Sequence, residues 1–406
     1  MKDSLERKIY FWNALGGIIS ASTSVIVIMV ITHTTGTYDA GIFSLGYANA
    51  MMFTNIGTLD TRSHQCADAK GVFEFSDYFA FRIITCLFMI TCSILFVSLA
   101  DYSTEKVVVT LLLCLYCAII NISDIFQGNV QILGRLDLGG QSLALRGVVN
   151  LFLFAVIYLV SNNLIVSLII MDISAFLWIL SFDKIRLLSL EKPIFLFRWD
   201  KFKKLFYESF PLGMCLTLQV GIFNIPKYAI DKYLPVEMQT IYSIIFMLAF
   251  VVNLFGLMIY RPILVKISLL WKMGDTKEIY KILLKKVSML VLLTLIVAIA
   301  GYFCGTLFLS VLYGVDVMPY KRELLVLLLG GGFTGVLNLF YFVVTVIKKQ
   351  YIMLGAYVCV FMISFLISYP MVNKYLLMGA AESYLITSII LNGLLALIVA
   401  VNLKKR

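Results

Sequence analysis

Long apolar runs recur from one end of the chain to the other, separated by short polar gaps. Crossing a hydrocarbon layer of about 30 Å takes about 20 helical residues. The runs predict about twelve spans, at 10–31, 40–60, 78–99, 107–128, 142–161, 164–182, 206–226, 238–260, 287–309, 324–347, 351–370 and 378–402. They are continuous and do not alternate, which excludes a β-barrel and predicts an all-α, polytopic membrane protein. The first run is full length and leads directly into a second, so it reads as a span and not as a cleaved signal.

Composition agrees. Of 406 residues, 61% are hydrophobic and only 14% charged, and the mean hydropathy is +0.96. A soluble domain could not hide that much apolar surface. The net charge of +10 would suggest nucleic acid if it formed a soluble patch, but the basic residues sit at helix ends on alternate loops. Of 33 Lys and Arg, 25 fall in the termini and the even-numbered loops, six on the opposite side, and Arg82 and Arg146 lie within spans. That asymmetry places both termini in the cytoplasm and the protein in the cell's plasma or inner membrane.

The chain divides at 183–205, giving an N-terminal six-helix lobe (1–182), a cytoplasmic amphipathic linker (183–205) and a C-terminal six-helix lobe (206–406). In the linker, Phe195, Trp199, Phe202 and Phe206 recur at helical spacing with Lys201, Lys203 and Lys204 between them. This pattern predicts a helix lying on the anionic inner leaflet, with a solvated linker as the alternative. A short internal echo supports duplication. Ile42-Phe43-Ser44 and Gly57 in the second span match Ile241-Tyr242-Ser243 and Gly256 in the eighth, at a constant offset of 199.

No enzyme constellation, phosphate loop or cofactor motif is visible, and metal ligands do not cluster. Cys114 and Cys117 have CxxC spacing, but with His33 and His64 far away in sequence they read as small packing residues. Gly330-Gly331-Gly332 lies inside a span and predicts close helix packing or a bend. The informative residues are ionisable ones in apolar runs: Arg82, Asp124, Arg146, Asp172 and Glu382, with Lys227 following Pro226 where the helix should break or kink. A charge at mid-membrane costs about 2.5–3.5 kcal/mol on insertion scales and usually faces a wet cavity or a partner. Snorkelling to an interface is the alternative, above all for Arg82, Arg146 and Lys227. Cations flanking the spans of both halves suit an anionic substrate, because guanidinium grips phosphate oxygens bidentately. Asp172 and Asp124 are candidates for ion coupling.

Three stretches resemble the polysaccharide-biosynthesis flippases, the Wzx-type O-antigen and capsular repeat-unit translocases of the multidrug/oligosaccharidyl-lipid/polysaccharide (MOP) exporter superfamily. The first runs from Gly41-Ile42-Phe43-Ser44 through Thr61-Arg62-Ser63, Gln65 and Asp68 to Phe75-Ser76-Asp77-Tyr78 and Arg82. The second runs from Gln131 through Gly134-Arg135-Leu136-Asp137 to Arg146, and the third is Asn224 through Pro226-Lys227-Tyr228 to Tyr233. Lys227 stands where the family often has Arg, which keeps the charge and loses the fork. The resemblance implies two six-helix lobes around a V-shaped cavity. It also implies alternating-access transfer of an undecaprenyl-pyrophosphate-linked oligosaccharide to the outer leaflet. On that reading Arg62, Arg82, Arg146 and Lys227 contact the substrate, and membrane lipids, a glycan polymerase and glycosyltransferases are partners; nucleic acid is not. An ion-coupled efflux transporter of the same superfamily is the main alternative. A membrane glycan polymerase would need a sizeable outer loop. A major-facilitator transporter would carry a charged signature after the second span, where this chain has the mixed sequence from Arg62 to Asp77.

Overall fold

The computed structural model describes residues 2–67, 71–187, 196–260 and 263–404. Asp68, Lys70, Phe195 and the linker residues 188–195 therefore lie outside the described residues. The described residues form helices α1 (Lys2–Thr34), α2 (Thr37–Thr58), α3 (Thr61–Ala67), α4 (Phe75–Leu99), α5 (Thr104–Ile132), α6 (Leu136–Ser161) and α7 (Leu164–Trp178). A π-helical segment, Ile179–Leu187, continues α7. Then follow α8 (Trp199–Tyr233), α9 (Val236–Tyr260), α10 (Leu264–Met273), α11 (Thr276–Ala300), α12 (Thr306–Tyr313), α13 (Lys321–Val346) and α14 (Gln350–Lys404).

Ten helical stretches among the described residues are long and apolar enough to cross a membrane. The last is two arms, because the 55-residue α14 is broken at Leu376, whose φ of 53° and ψ of −134° are not helical. Helix α2, 22 residues long, falls outside the ten because of polar residues such as Asn49, Thr54 and Asn55. With α2 and the two arms counted, every expected span has its helix. At Pro226 the expected break does not occur: α8 continues helically from Trp199 to Tyr233.

The chain forms two compact units, Met1–Thr217 and Leu218–Arg406, which divide within α8. In the first, α1 packs along α6, and α2 lies against α4 and α5. Its outer surface is apolar, with Leu87, Phe88, Ile94 and Leu95 exposed on α4, while Asn49, Arg82, Asn121, Ser142 and Asn150 are buried. This inversion of the soluble pattern suits lipid outside and a polar interior. In the second unit α13 packs against α9, α11 and α14. A half-buried chain of amides lies there: Gln219 Nε2 donates to Asn338 Oδ1 at 3.2 Å, and Asn338 Nδ2 donates to Asn253 Oδ1 at 2.9 Å.

The glycine run does not interrupt its helix. Helix α13 continues through it, and each residue fits a different neighbour: Gly330 beneath Tyr384, Gly331 against the Ala249 backbone, Gly332 against Thr294. The sequence echo also has a structural counterpart. A methyl on Gly57 would meet Met89 on α4 and Asn121 on α5, each at 2.7 Å. One on Gly256 would meet Leu290 on α11 at 3.2 Å and Gly335 on α13 at 3.6 Å. In each unit, a glycine late in the second span lets it approach the two spans that follow.

The segment expected to lie on the leaflet forms the first turns of α8 and does not stand alone. Phe202 packs on Phe81 at 5.1 Å between ring centroids, and Lys201 Nζ donates to the Val72 carbonyl at 2.6 Å. Just before it, Arg198 forks onto Asp77 and also reaches Glu74 at 3.0 Å. Trp199 stays exposed. Only part of the aromatic face is therefore left for a membrane surface.

Candidate functional site

The site begins with the turn between α2 and α3. Leu59 and Asp60 both adopt left-handed backbone, with φ of 41° and 52°. For residues with a Cβ this costs about 1–2 kcal/mol each. The neighbours hold it in place. Thr61 Oγ1 donates to the Thr58 carbonyl at 2.5 Å, and Ser63 Oγ donates to Asp60 Oδ1 at 2.6 Å. Over Leu59 lies Gly213, where an added methyl would sit 2.7 Å from the Leu59 Cα. The reversal turns α3 back against α5 and aims Arg62 at it.

Arg62 Nη1 donates to Asp124 Oδ1 at 2.6 Å and Nη2 to Gln131 Oε1 at 3.2 Å. From α4, Arg82 approaches the other oxygen of the same carboxylate, with Nη2 3.5 Å from Oδ2. Its Nη1 donates to the Gly57 carbonyl at 3.3 Å, which Thr85 Oγ1 shares at 2.7 Å. Arg82 is 0% exposed, yet its Nε and Nη2 carry no hydrogen bond. These groups line a cavity of about 440 Å³ together with Asn55, Thr58, Asp60, Ser63, Cys66, Gln131 and Leu216. Burial raises the Asp60 carboxyl above its ordinary range, and Asp124 adds to that, against the opposing effects of Ser63, His64 and Arg82. Burial likewise raises the Cys66 thiol, with Arg62 pulling the other way. The cavity thus holds two guanidinium groups, one of them under-bonded, and two carboxylates.

Arg146 does not line this cavity. On α6, 2% exposed, it lies within electrostatic reach of Asp183 and Tyr116. Asp183, in the π-helical segment, is fully buried and accepts from Ser123 Oγ and Ser142 Oγ, both at 2.5 Å. Asp172 lies deeper in α7, buried, and neither of its oxygens has a hydrogen-bond partner. The polar groups of that region bond to one another instead: Ser174 Oγ donates to Asn150 Oδ1 at 2.5 Å, and Asn150 Nδ2 to the Tyr116 hydroxyl at 3.2 Å.

Lys227 belongs to the second unit, where its Nζ sits 5.5 Å from the Phe246 ring centroid. Tyr384 packs edge-on to Phe246 at 5.0 Å and to Phe223 at 5.1 Å. This is an aromatic environment in which a cation gains from ring faces. Glu382 on α14 is half-buried.

Of the residues singled out from sequence, the structure thus brings Arg62, Arg82 and Asp124 together. It gives Arg146 a separate setting and leaves Asp172 unpartnered. Snorkelling does not describe Arg82 or Arg146, since both are buried. Sequence reading missed Asp60, which sits at a span's polar end, and Asp183, one residue past the expected end of the sixth span. A charge directly abutting an apolar run, with serines in neighbouring spans, was the available signal for Asp183.

No family model matches the chain. It is 25% identical over 278 residues to the capsular polysaccharide biosynthesis protein CapF of Staphylococcus aureus, covering 66% of this chain and 69% of that protein. The fold is similar to the lipid II flippase MurJ in an inward closed conformation, with a TM-score of 0.72, 16% identity, and coverage of 95% and 87% of the two chains. It is also similar to an inward-facing multidrug resistance MATE transporter of the MOP superfamily, with a TM-score of 0.70, 11% identity, and coverage of 95% and 96%. The apolar helices and the inverted polarity of their packing make the chain a multi-pass membrane protein, and its fold is similar to those of the MATE transporter and MurJ.

Proposed function

We propose that this chain is a flippase that moves an undecaprenyl-pyrophosphate-linked oligosaccharide repeat unit from the inner to the outer leaflet, for surface polysaccharide synthesis. Such a substrate keeps its apolar tail in the bilayer while its polar head must cross, and each unpartnered hydroxyl or phosphate loses several kcal/mol in hydrocarbon. The observation that carries the reading is Arg82. It is a fully buried guanidinium, two of whose nitrogens make no hydrogen bond, beside Arg62, on a cavity large enough for a phosphate group. Arg62 and Arg82 grip the pyrophosphate, and Arg146 and Lys227 serve as further cations for the head group. Asp172 couples transport to an ion gradient. The likeness to a capsular polysaccharide biosynthesis protein and to a lipid II flippase supports a lipid-linked glycan as cargo. Alternating access would expose the site to each side in turn.

The Lys and Arg distribution supports an inner-membrane location with both termini cytoplasmic. Glycosyltransferases that build the repeat unit and a polymerase that consumes it are the proposed partners. The test is a leaflet-resolved transport assay in proteoliposomes with a lipid-pyrophosphate glycan. Wild type should move it, and Arg62→Gln and Arg82→Gln should not, at equal membrane levels. Unimpaired movement in both variants would overturn the assignment, and movement of small organic cations in place of the glycan would favour the efflux alternative.

A further inference from the structure

The Arg62–Asp124–Arg82 cluster is balanced in charge but short of acceptors. Asp124 offers Oδ1 to Arg62 at 2.6 Å, while its Oδ2 stands 3.5 Å from Arg82. Arg82 is 0% exposed, and its Nε and Nη2 make no hydrogen bond. With Asp60 on the same cavity wall, two cations face two carboxylates, so the cavity as it stands offers an incoming anion no net attraction. A phosphate group presents more acceptor oxygens than a carboxylate and suits paired guanidinium forks. Asp124 is the group it would have to replace. Its side chain is 26% exposed, against 0% for Arg82, so it has a route into solvent while Arg82 does not.

We propose that Asp124 is an internal stand-in for the substrate's phosphate, occupying Arg62 and Arg82 until a lipid-borne pyrophosphate displaces it. This rests on the flippase reading and adds a selection rule to it. Displacement consumes binding energy, so a small soluble anion, which brings only its charge, is held weakly. A pyrophosphate carried on a polyprenyl chain adds the contacts of its lipid and overcomes the competition. After displacement Asp124 has lost both arginines. The return of that carboxylate offers a way to eject the head group at the far side, where tight binding would stall the cycle.

The experiment measures binding of inorganic pyrophosphate and, separately, of a polyprenyl pyrophosphate in mixed micelles. It uses the purified full-length protein as wild type, Asp124→Asn, Asp124→Ser and Asp60→Asn. Gel filtration confirms that each is folded, and the serine variant serves if the asparagine one fails. The expected result is weak binding of inorganic pyrophosphate by wild type and at least tenfold tighter binding once Asp124 is neutralised. Asp60→Asn should give a smaller gain, and the polyprenyl form should bind wild type more tightly than the inorganic form. Adding Arg82→Gln to Asp124→Asn should abolish the gain. Equal gains from the Asp60 and Asp124 variants would reveal a general charge effect and overturn the proposal, as would a gain that survives loss of Arg82. Tighter pyrophosphate binding in a protein that moves no lipid-linked glycan would sink the flippase reading alone. Glycan transport with unchanged affinity in the Asp124 variants would sink only the stand-in.

Discussion

Arg198 holds Asp77 by two nitrogens at once, Nε to Oδ1 at 2.8 Å and Nη2 to Oδ2 at 2.5 Å. The partners lie 121 residues apart, and Asp77 is also the N3 residue of the capping box that starts α4. Glu74, the other half of that box, takes the third nitrogen of Arg198 at 3.0 Å. These bonds raise the Arg198 guanidinium further above its already high range, Asp77 contributing most. One arginine thus ties the start of α8 to the helix that carries Arg82.

Breaking this clamp leaves Asp77, 3% exposed, without its cation. Arg198→Ala should therefore lower the protein's melting temperature, because it strands a buried, hydrogen-bonded carboxylate. Arg198→Lys should recover only part of the loss, because an ammonium cannot bond both oxygens in the same fork. Thermal unfolding of the purified variants in one detergent checks the order. Equal stability of the alanine and lysine variants would show that the fork is idle.

The fold was largely legible in the sequence because hydropathy is a local signal, and each span declares itself without knowledge of its neighbours. The site was only half legible. Arg82 and Arg146 look alike on paper, each about a turn into an apolar run, yet one meets Asp124 and the other lies near Asp183. Nothing local distinguishes them, because the partners come from helices whose rotational phase is set by packing. Arg62 to Asp124 spans 62 positions, and the reversal at Leu59 and Asp60 that joins them contains no glycine or proline to announce it. The amphipathic stretch near Trp199 was only partly legible for a similar reason. An apolar face at helical spacing suits a protein surface as well as a lipid one, and here Phe81 takes Phe202.

Two glycines in helices of the second unit should answer oppositely to alanine. A methyl on Gly331 would stand 2.5 Å from the Ala249 carbonyl oxygen, so α9 would have to move. Overpacking of that kind costs roughly 1–3 kcal/mol. Gly393 has nothing within 4 Å of the added methyl. Its alanine variant should gain up to about 1 kcal/mol from the stiffer backbone. Unfolding of both variants by denaturant in detergent gives the two signs. A stable Gly331→Ala would mean that α9 and α13 yield more easily than close packing implies.

Asp60 gives a pH dependence with a definite sign. Its carboxyl is raised in the folded protein above the ordinary 3.8, mainly by burial. A raised carboxyl means the folded state holds the proton longer than the unfolded chain, so stability falls as pH climbs through the interval between the two values. Ser63, His64, Arg82 and Asp124 all face this group, and only Asp124 reinforces the shift. Asp60→Asn should remove the penalty. Its melting temperature should exceed that of wild type at pH 7, with the advantage shrinking toward pH 4. A gap that stays constant across that range would assign the effect to the lost charge pattern at large and not to the Asp60 proton.

Asp172 is the sharper test of coupling, because its surroundings already satisfy one another. Ser174, Asn150 and Tyr116 form a hydrogen-bonded chain, and the carboxylate has no hydrogen-bond partner on either oxygen. A structural carboxylate would be paired, since leaving such a group unpaired in an apolar interior costs several kcal/mol. Removing its charge should then leave the fold at least as stable, so Asp172→Asn is expected to match or exceed wild type in melting temperature. If a proton or small cation visits this carboxylate during the cycle, the same variant loses its response to an imposed gradient. Proteoliposomes loaded with lipid-linked glycan and assayed with and without a pH or sodium gradient separate the two properties. A variant that is stable yet still accelerated by the gradient would place coupling elsewhere in the chain. One that is much less stable would mean that Asp172 supports the fold through its charge, contrary to its unpartnered setting.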